Sequence, residues 1–184
     1  MGFPSPAELN DLPVEAFAEE LAPLFEGAAG FLGRLAAARP FEDDRELLEA
    51  AREVARTMPD ADQIELLNAH PRIGADPATV SAASFEEQGY GDEDAAPEDG
   101  APDVDPLVEE LAMLNDVYEG RFGFRFVVFV AGRPLAAIAP LIEAAMRNDR
   151  QAELGRGLDD VIDIAADRLG RLRGEDPRRE RDGG

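Results

Sequence analysis

The chain has 184 residues, 40 acidic and 18 basic, for a formal net charge of -22, and a hydrophobic fraction of 45%. That length supports one domain with a real hydrophobic core, and the charge disfavours nucleic acid as a partner. There is no cysteine and no lysine, which excludes disulfides, thiolate chemistry and side-chain Schiff bases, and no apolar run reaches membrane-spanning length.

Met1 to Pro6 has neither a basic region nor an apolar core, so no secretory signal is expected and the default location is cytoplasmic. Asn10-Asp11-Leu12-Pro13 reads as a helix start, followed by Phe17, Leu21, Leu24 and Phe25 at helical spacing. Gly27 and Gly30 interrupt the pattern before a second apolar segment, Phe31 to Ala38, which ends at Arg39-Pro40-Phe41. Asp43 and Asp44 can cap the next helix, whose stripe is Leu47, Leu48, Ala51, Val54, Ala55 and Met58, and Pro59 stops it. A shorter helix from Asp60 or Asp62 carries Ile64, Leu66 and Leu67.

That helix leads into Asn68-Ala69-His70-Pro71-Arg72-Ile73-Gly74, which holds the only histidine. Histidine exchanges protons near neutral pH, so His70 is the first candidate for acid–base work. Pro71 disfavours helical dihedrals at the residue before it and should end the helix at His70. Gly74 allows a turn or a close approach. A lone histidine with a structural hydrogen bond explains the same residues. Ser84-Phe85-Glu86-Glu87 is a capping-box pattern, which by itself accounts for Ser84 and Glu87 as fully as a catalytic role does.

From Gly89 to Asp105 the chain is acidic, rich in glycine and proline, and nearly free of large aliphatics. It reads as a flexible surface loop, and its carboxylates lack calcium-loop spacing. Asp105-Pro106 starts another helix, marked by Leu107, Leu111, Leu114, Val117 and Tyr118 and ended by Gly120. Phe122 to Val130 has strand composition but no second strand to pair with, so it is expected to be an extended buried segment in a helical protein. Pro140 should break the following stretch of Leu135, Ile138, Leu141 and Ile142. Asn148-Asp149 caps the last helix, with the stripe Leu154, Leu158, Val161, Ile162, Ala165, Leu169 and Leu172. The sequence therefore predicts an all-α fold of roughly seven helices, one domain over residues 1–172 and a disordered tail over 173–184.

Taken together, several short motifs resemble one family. They are Leu9-Asn10-x-Leu12-Pro13 with Phe17; Arg39-Pro40-Phe41; Ala69-His70-Pro71-Arg72-Ile73-Gly74; Ser84-x-x-Glu87-Gln88; Leu114-Asn115-x-x-Tyr118; Phe122-Gly123-Phe124-x-Phe126; and Arg168-Leu169. In this order and spacing they resemble 2-oxo-4-hydroxy-4-carboxy-5-ureidoimidazoline (OHCU) decarboxylase, the last enzyme of the route from urate to (S)-allantoin. The resemblance implies an all-helical homodimer that needs no metal or organic cofactor. It implies His70 as the catalytic acid–base group and Glu87 as its carboxylate partner. It places Pro71, Ser84, Gln88 and the segment Phe122, Gly123, Phe124, Arg125 and Phe126 around a small ureidoimidazoline. The chain departs from the family at Glu26-Gly27-Ala28-Ala29-Gly30-Phe31 and at Ala145-Met146-Arg147-Asn148. Arg168 is then the arginine assigned to the substrate, with Arg147 as the alternative.

Such a substrate carries a carboxylate on a ring carbon beside a C=N bond and so brings its own electron sink. The protein has only to orient the ring, handle the hydroxyl proton and deliver a proton to one face. One histidine with a carboxylate partner suffices for that, and backbone amides near Phe122–Phe126 can bind carbonyls. Two other readings use the same residues. One is a helical interaction module whose acidic loop recruits a basic partner. The other is a different cofactor-free lyase or hydrolase acting on a ureido or purine-derived ring.

Overall fold

The computed structural model describes residues 2–75 and 106–174. Among them are eight α-helices, one 3-10 turn and no strand. In chain order these are α1 (Pro6–Asp11), α2 (Val14–Phe25), α3 (Ala29–Ala37), α4 (Asp44–Thr57), α5 (Asp60–Ala69), α6 (Pro106–Phe122), the 3-10 turn Leu135–Ala137, α7 (Ala139–Ala145) and α8 (Arg150–Arg173). The all-α expectation holds. The acidic stretch Gly89–Asp105 and the Ser84–Gln88 motif lie outside the described residues.

Helix α8 is the central post. α2, α4 and α5 pack on it, and α3 fills the space between α2, α4 and α5. Its stripe Leu154, Leu158, Val161, Ile162, Ala165 and Leu169 is buried, against Phe17, Leu21 and Leu24 of α2 and Leu47, Ala51 and Ala55 of α4 in one continuous core. Gly157 lets α5 approach, because a Cβ there would stand 3.1 Å from Leu67 Cδ2. Leu172 departs from the expected stripe and is 47% exposed. The helix also continues one residue into the segment read as tail. Arg173 is its last residue, and its guanidinium bonds Asp44 at 2.8 Å, Phe3 O at 2.6 Å and Pro4 O at 2.8 Å.

Several local expectations are corrected. Helix α1 was not anticipated, although Ser5-Pro6-Ala7-Glu8 carries its own capping box, with Glu8 bonded back to the Ser5 amide. Asn10 caps nothing. Its side chain makes a paired bond to the Phe41 backbone, at 2.8 Å and 2.9 Å. Beside it Arg39 donates to Leu9 O, Leu12 O and Ala36 O and lies over the Phe17 ring. Two motifs far apart in sequence thus form one cluster. Gly30 lies inside α3, and Gly120 does not end α6, which runs on to Phe122. Two others hold: Asp43 caps α4, and the stretch from Leu135 breaks into the 3-10 turn and α7, with Pro140 in the first turn of α7, where its missing N–H costs nothing.

Phe122 to Val130 leaves the helix and runs extended through the core. Phe124, Phe126, Val127, Val128 and Val130 are all buried. Among the described residues no neighbouring strand satisfies its backbone. Side chains do so instead: Arg150 donates to Phe122 O at 3.1 Å, Arg156 to Val127 O at 2.9 Å, and the Arg125 amide donates to Asn68 Oδ1 at 2.9 Å.

Candidate functional site

The last turn of α5 delivers His70. It is the C-cap, with extended dihedrals (φ -71°, ψ 143°), as a residue before proline prefers. Its amide still donates to Leu67 O at 3.2 Å. The turn that follows uses Gly74 at φ +75°, and a Cβ there would stand 3.1 Å from Leu111. Arg72 pairs with Glu119 and Asp116 of α6, and Asn115 donates to Ile73 O at 3.0 Å. The Arg72-Ile73-Gly74 stretch that follows Pro71 is therefore fastened along α6.

The His70 side chain is 3% exposed. Its Nδ1 lies 3.1 Å from Leu66 O. A carbonyl oxygen can only accept, so Nδ1 carries the proton and donates, which leaves the lone pair on Nε2. Nε2 is buried and, among the described residues, has no hydrogen-bond partner. Burial is the main cause that pushes the imidazole pKa down to about 4; the Leu66 bond and Glu26 oppose this, while Arg168 and Arg125 add to it. At neutral pH the ring is a neutral base with one nitrogen fixed and the other ready to accept.

Because the folded pKa lies below the ordinary 6.5, the unfolded chain takes up the proton first as pH falls. The stability that the neutral ring contributes is complete above pH 6.5 and is lost on the way down to about pH 4. The loss amounts to about 3 kcal/mol for such a shift. We expect urea unfolding of wild type and His70→Asn to diverge in pH dependence only within that window. Parallel curves through it would mean that His70 is not held neutral by the fold.

Arg168, on α8, is 4% exposed. It donates to Glu26 Oε1 at 2.8 Å and to Pro23 O at 2.9 Å. Glu26 caps α2 in the left-handed region (φ 51°), where a residue with a Cβ is strained. Sequence reasoning noted Glu26 only as part of a divergent stretch. The signal for Arg168 was present, since it follows Ala165 by three and Val161 by seven and so falls on the buried stripe.

Arg125 comes from the extended segment. Its Nη1 donates to Asn68 O at 2.8 Å and to His70 O at 2.7 Å. His70, Arg125, Arg168 and Glu26 are thus brought close enough for each charge to act on the imidazole. Pro71 follows His70, half-buried. The Phe122, Phe124 and Phe126 rings pack around Tyr118, with centroids 4.7, 6.0 and 5.1 Å from it. The Gly123 and Arg125 amides are already bonded, to Glu119 O and Asn68 Oδ1. Gly123 and Arg147 are exposed. Ser84, Glu87 and Gln88 lie outside the described residues. Among the described residues no group of three His, Asp or Glu side chains is disposed to hold a metal.

The arrangement is a buried neutral imidazole with an unpartnered Nε2, beside two guanidinium groups and one carboxylate. It can take a proton from a bound group and return it, next to fixed positive charge.

A family model for OHCU decarboxylase matches residues 10–170. The 2-oxo-4-hydroxy-4-carboxy-5-ureidoimidazoline decarboxylase of Halalkalicoccus jeotgali is 30% identical over 168 residues, 90% of this chain and 89% of that protein. The uric acid degradation bifunctional protein of Bacillus sp. (strain TB-90) is 27% identical over 162 residues. Those are 88% of this chain but 31% of that protein, so the chain spans about a third of the bifunctional relative. A crystal structure of OHCU decarboxylase in the presence of (S)-allantoin superposes with a TM-score of 0.61 at 22% identity, covering 85% of this chain and 98% of that one. At that identity the likeness is one of fold.

Proposed function

The chain belongs to the OHCU decarboxylase family, and from that premise we propose that it converts 2-oxo-4-hydroxy-4-carboxy-5-ureidoimidazoline to (S)-allantoin without a cofactor, as a carbon–carbon lyase of urate breakdown. The observation that carries this reading is the lone pair on His70 Nε2, buried and unpaired while Nδ1 is held by Leu66 O.

In this reading the bond between the ring carbon and its carboxylate breaks and CO2 leaves. The electron pair moves toward the adjacent C=N, whose nitrogen takes up a proton. The hydroxyl on the same carbon becomes a carbonyl as its proton passes to His70 Nε2. The imidazolium then returns that proton to the neighbouring carbon from one face, and this fixes the configuration. Overall one proton is consumed for each CO2 released. A depressed imidazole pKa suits the first step, since the free protein holds the base form at any pH well above 4.

Glu87 is the carboxylate partner in this reading, and Pro71, Ser84, Gln88, the segment Phe122–Phe126 and Arg168 surround the substrate. The reading includes a homodimer in the cytoplasm, acting on a small molecule without nucleic-acid or membrane partners. The net charge of -22 argues against a polyanion, and no described helix is long and apolar enough to cross a membrane.

The test is to supply freshly generated substrate and follow (S)-allantoin by circular dichroism. Wild type should form it, and Glu87→Gln should be slower by about two orders of magnitude, within the usual range for a positioned acid–base partner. A capping-box role predicts otherwise, because glutamine is also accepted at that position and turnover would hardly change. Near-normal rates in Glu87→Gln would remove Glu87 from the mechanism.

A further inference from the structure

We propose that Arg125 is the anion-recognition residue of this site: a guanidinium clamped through Nη1 that offers Nε and Nη2 to the carboxylate of a small ureide. The inference rests on the functional reading above and names the residue that distinguishes the charged substrate from its neutral product.

Arg125 is held at both ends. Its amide donates to Asn68 Oδ1 at 2.9 Å, and its Nη1 bridges Asn68 O and His70 O at 2.8 and 2.7 Å. The residues on either side, Phe124 and Phe126, are each 1% exposed, so the backbone that carries it is anchored in the core. The clamp uses one terminal nitrogen only. Among the described residues Nε and Nη2 have no partner, and no carboxylate pairs with Arg125. Those two nitrogens form one edge of the guanidinium plane, an edge that matches both oxygens of a carboxylate.

Other arginines around the core are committed differently. Arg168 pairs with Glu26, Arg156 with Glu153, and Arg150 with Asp60. Arg39, also half-buried and without a carboxylate partner, spends Nε and Nη1 on carbonyls. Acidic residues outnumber basic ones by 40 to 18, yet among the described residues Arg125 has no acidic partner, and unlike Arg39 it keeps both Nε and Nη2 unbonded. The same imbalance makes the surface repel an anionic substrate, so a fixed cation at the site has something to offset. Its bond to the His70 carbonyl sets the spacing between the anion site and the base.

Loss of CO2 removes the negative charge that Arg125 would hold. The cation therefore favours the substrate over the neutral product and assists product release. Because negative charge drains from the carboxylate on the way to CO2, a cation there stabilises the ground state more than the transition state, so its removal should show in KM and not as a loss of kcat.

The experiment uses the full chain and the variants Arg125→Gln and Arg125→Lys. In Arg125→Gln we expect KM to rise about tenfold or more, the scale of a lost charge-assisted pair, with kcat unchanged or slightly higher. Arg125→Lys should recover part of the loss. The acid limb of kcat/KM should move to higher pH, because Arg125 helps to depress the His70 pKa. Calorimetric binding of two probes separates recognition from mere clamping. Allantoate, a ureido carboxylate, should bind Arg125→Gln about tenfold more weakly than wild type, and neutral (S)-allantoin should bind both alike. Equal loss for both probes, or equal affinity of wild type and Arg125→Gln for allantoate, would overturn the inference. A wild type that turns nothing over yet binds allantoate through Arg125 would uphold it and overturn the decarboxylase reading.

Discussion

His70→Asn is expected to reduce enzymatic formation of (S)-allantoin to background, a loss of about a thousandfold or more if proton transfer to and from Nε2 is removed. The substitution is chosen to spare the fold. Asparagine can occupy a helix C-cap before proline, and its amide can donate to Leu66 O as Nδ1 now does. What it cannot do is exchange a proton near neutral pH. Product that still forms would arise from spontaneous decay, with a proton added to either face, so the dichroism should fall further than the consumption of substrate. Far-UV circular dichroism and the urea midpoint at pH 7.5 should stay close to wild type. A histidine kept only for its hydrogen bond to Leu66 predicts near-normal turnover in a folded His70→Asn variant, and that outcome would leave the family relationship as one of fold alone.

The His70 turn was legible because its determinants are local. Pro71 restricts the dihedrals of His70, Gly74 takes the positive φ, and both effects act within a few residues. The tautomer was not legible, because it depends on which carbonyl the folded helix turns toward the ring. The extended segment divides in the same way. The sequence shows that Phe122–Val130 is apolar and has no strand to pair with, but what replaces the missing strand is three side chains from α5 and α8: Asn68, Arg150 and Arg156. A hydrophobic pattern does not register polar residues serving a buried backbone. Glu26 gave no signal at all. It follows a helix and precedes glycine, a place where an exposed acid is ordinary, and only the packing of α2 on α8 buries it against Arg168.

The same blindness applies to Glu153, where removal is expected to have the largest effect on stability. It lies one residue before Leu154 at the start of α8 and reads as a surface acid, yet it is 0% exposed. Its carboxylate accepts from Tyr118 Oη at 2.6 Å, Asn148 Nδ2 at 2.9 Å, and Arg156 Nε and Nη2 at 2.7 and 2.5 Å. Burial and the Glu153 carboxylate hold the Tyr118 hydroxyl above its ordinary pKa, so it remains a donor. Arg156 in turn lies over the Phe126 ring and supports Val127 O, and Tyr118 is the platform for Phe122, Phe124 and Phe126. Glu153 therefore ties α6, α8 and the extended segment at one point. Glu153→Ala would leave a largely buried arginine with only Asp160 for an acidic partner, two donors unsatisfied and a void. Breaking a buried pair in this way costs about 3–5 kcal/mol, which for a chain of this length corresponds to a fall in Tm of about 10 °C or more. Glu153→Gln retains an acceptor for Tyr118 and loses the charge, so its loss should be smaller. Because the segment also carries Arg125, Glu153→Gln should raise KM while the acid limb set by His70 stays in place. A Tm within about 2 °C of wild type in Glu153→Ala, less than the expected effect of about 1 kcal/mol, would show that water or a rearranged Asp160 replaces the carboxylate and that the network does not hold the segment.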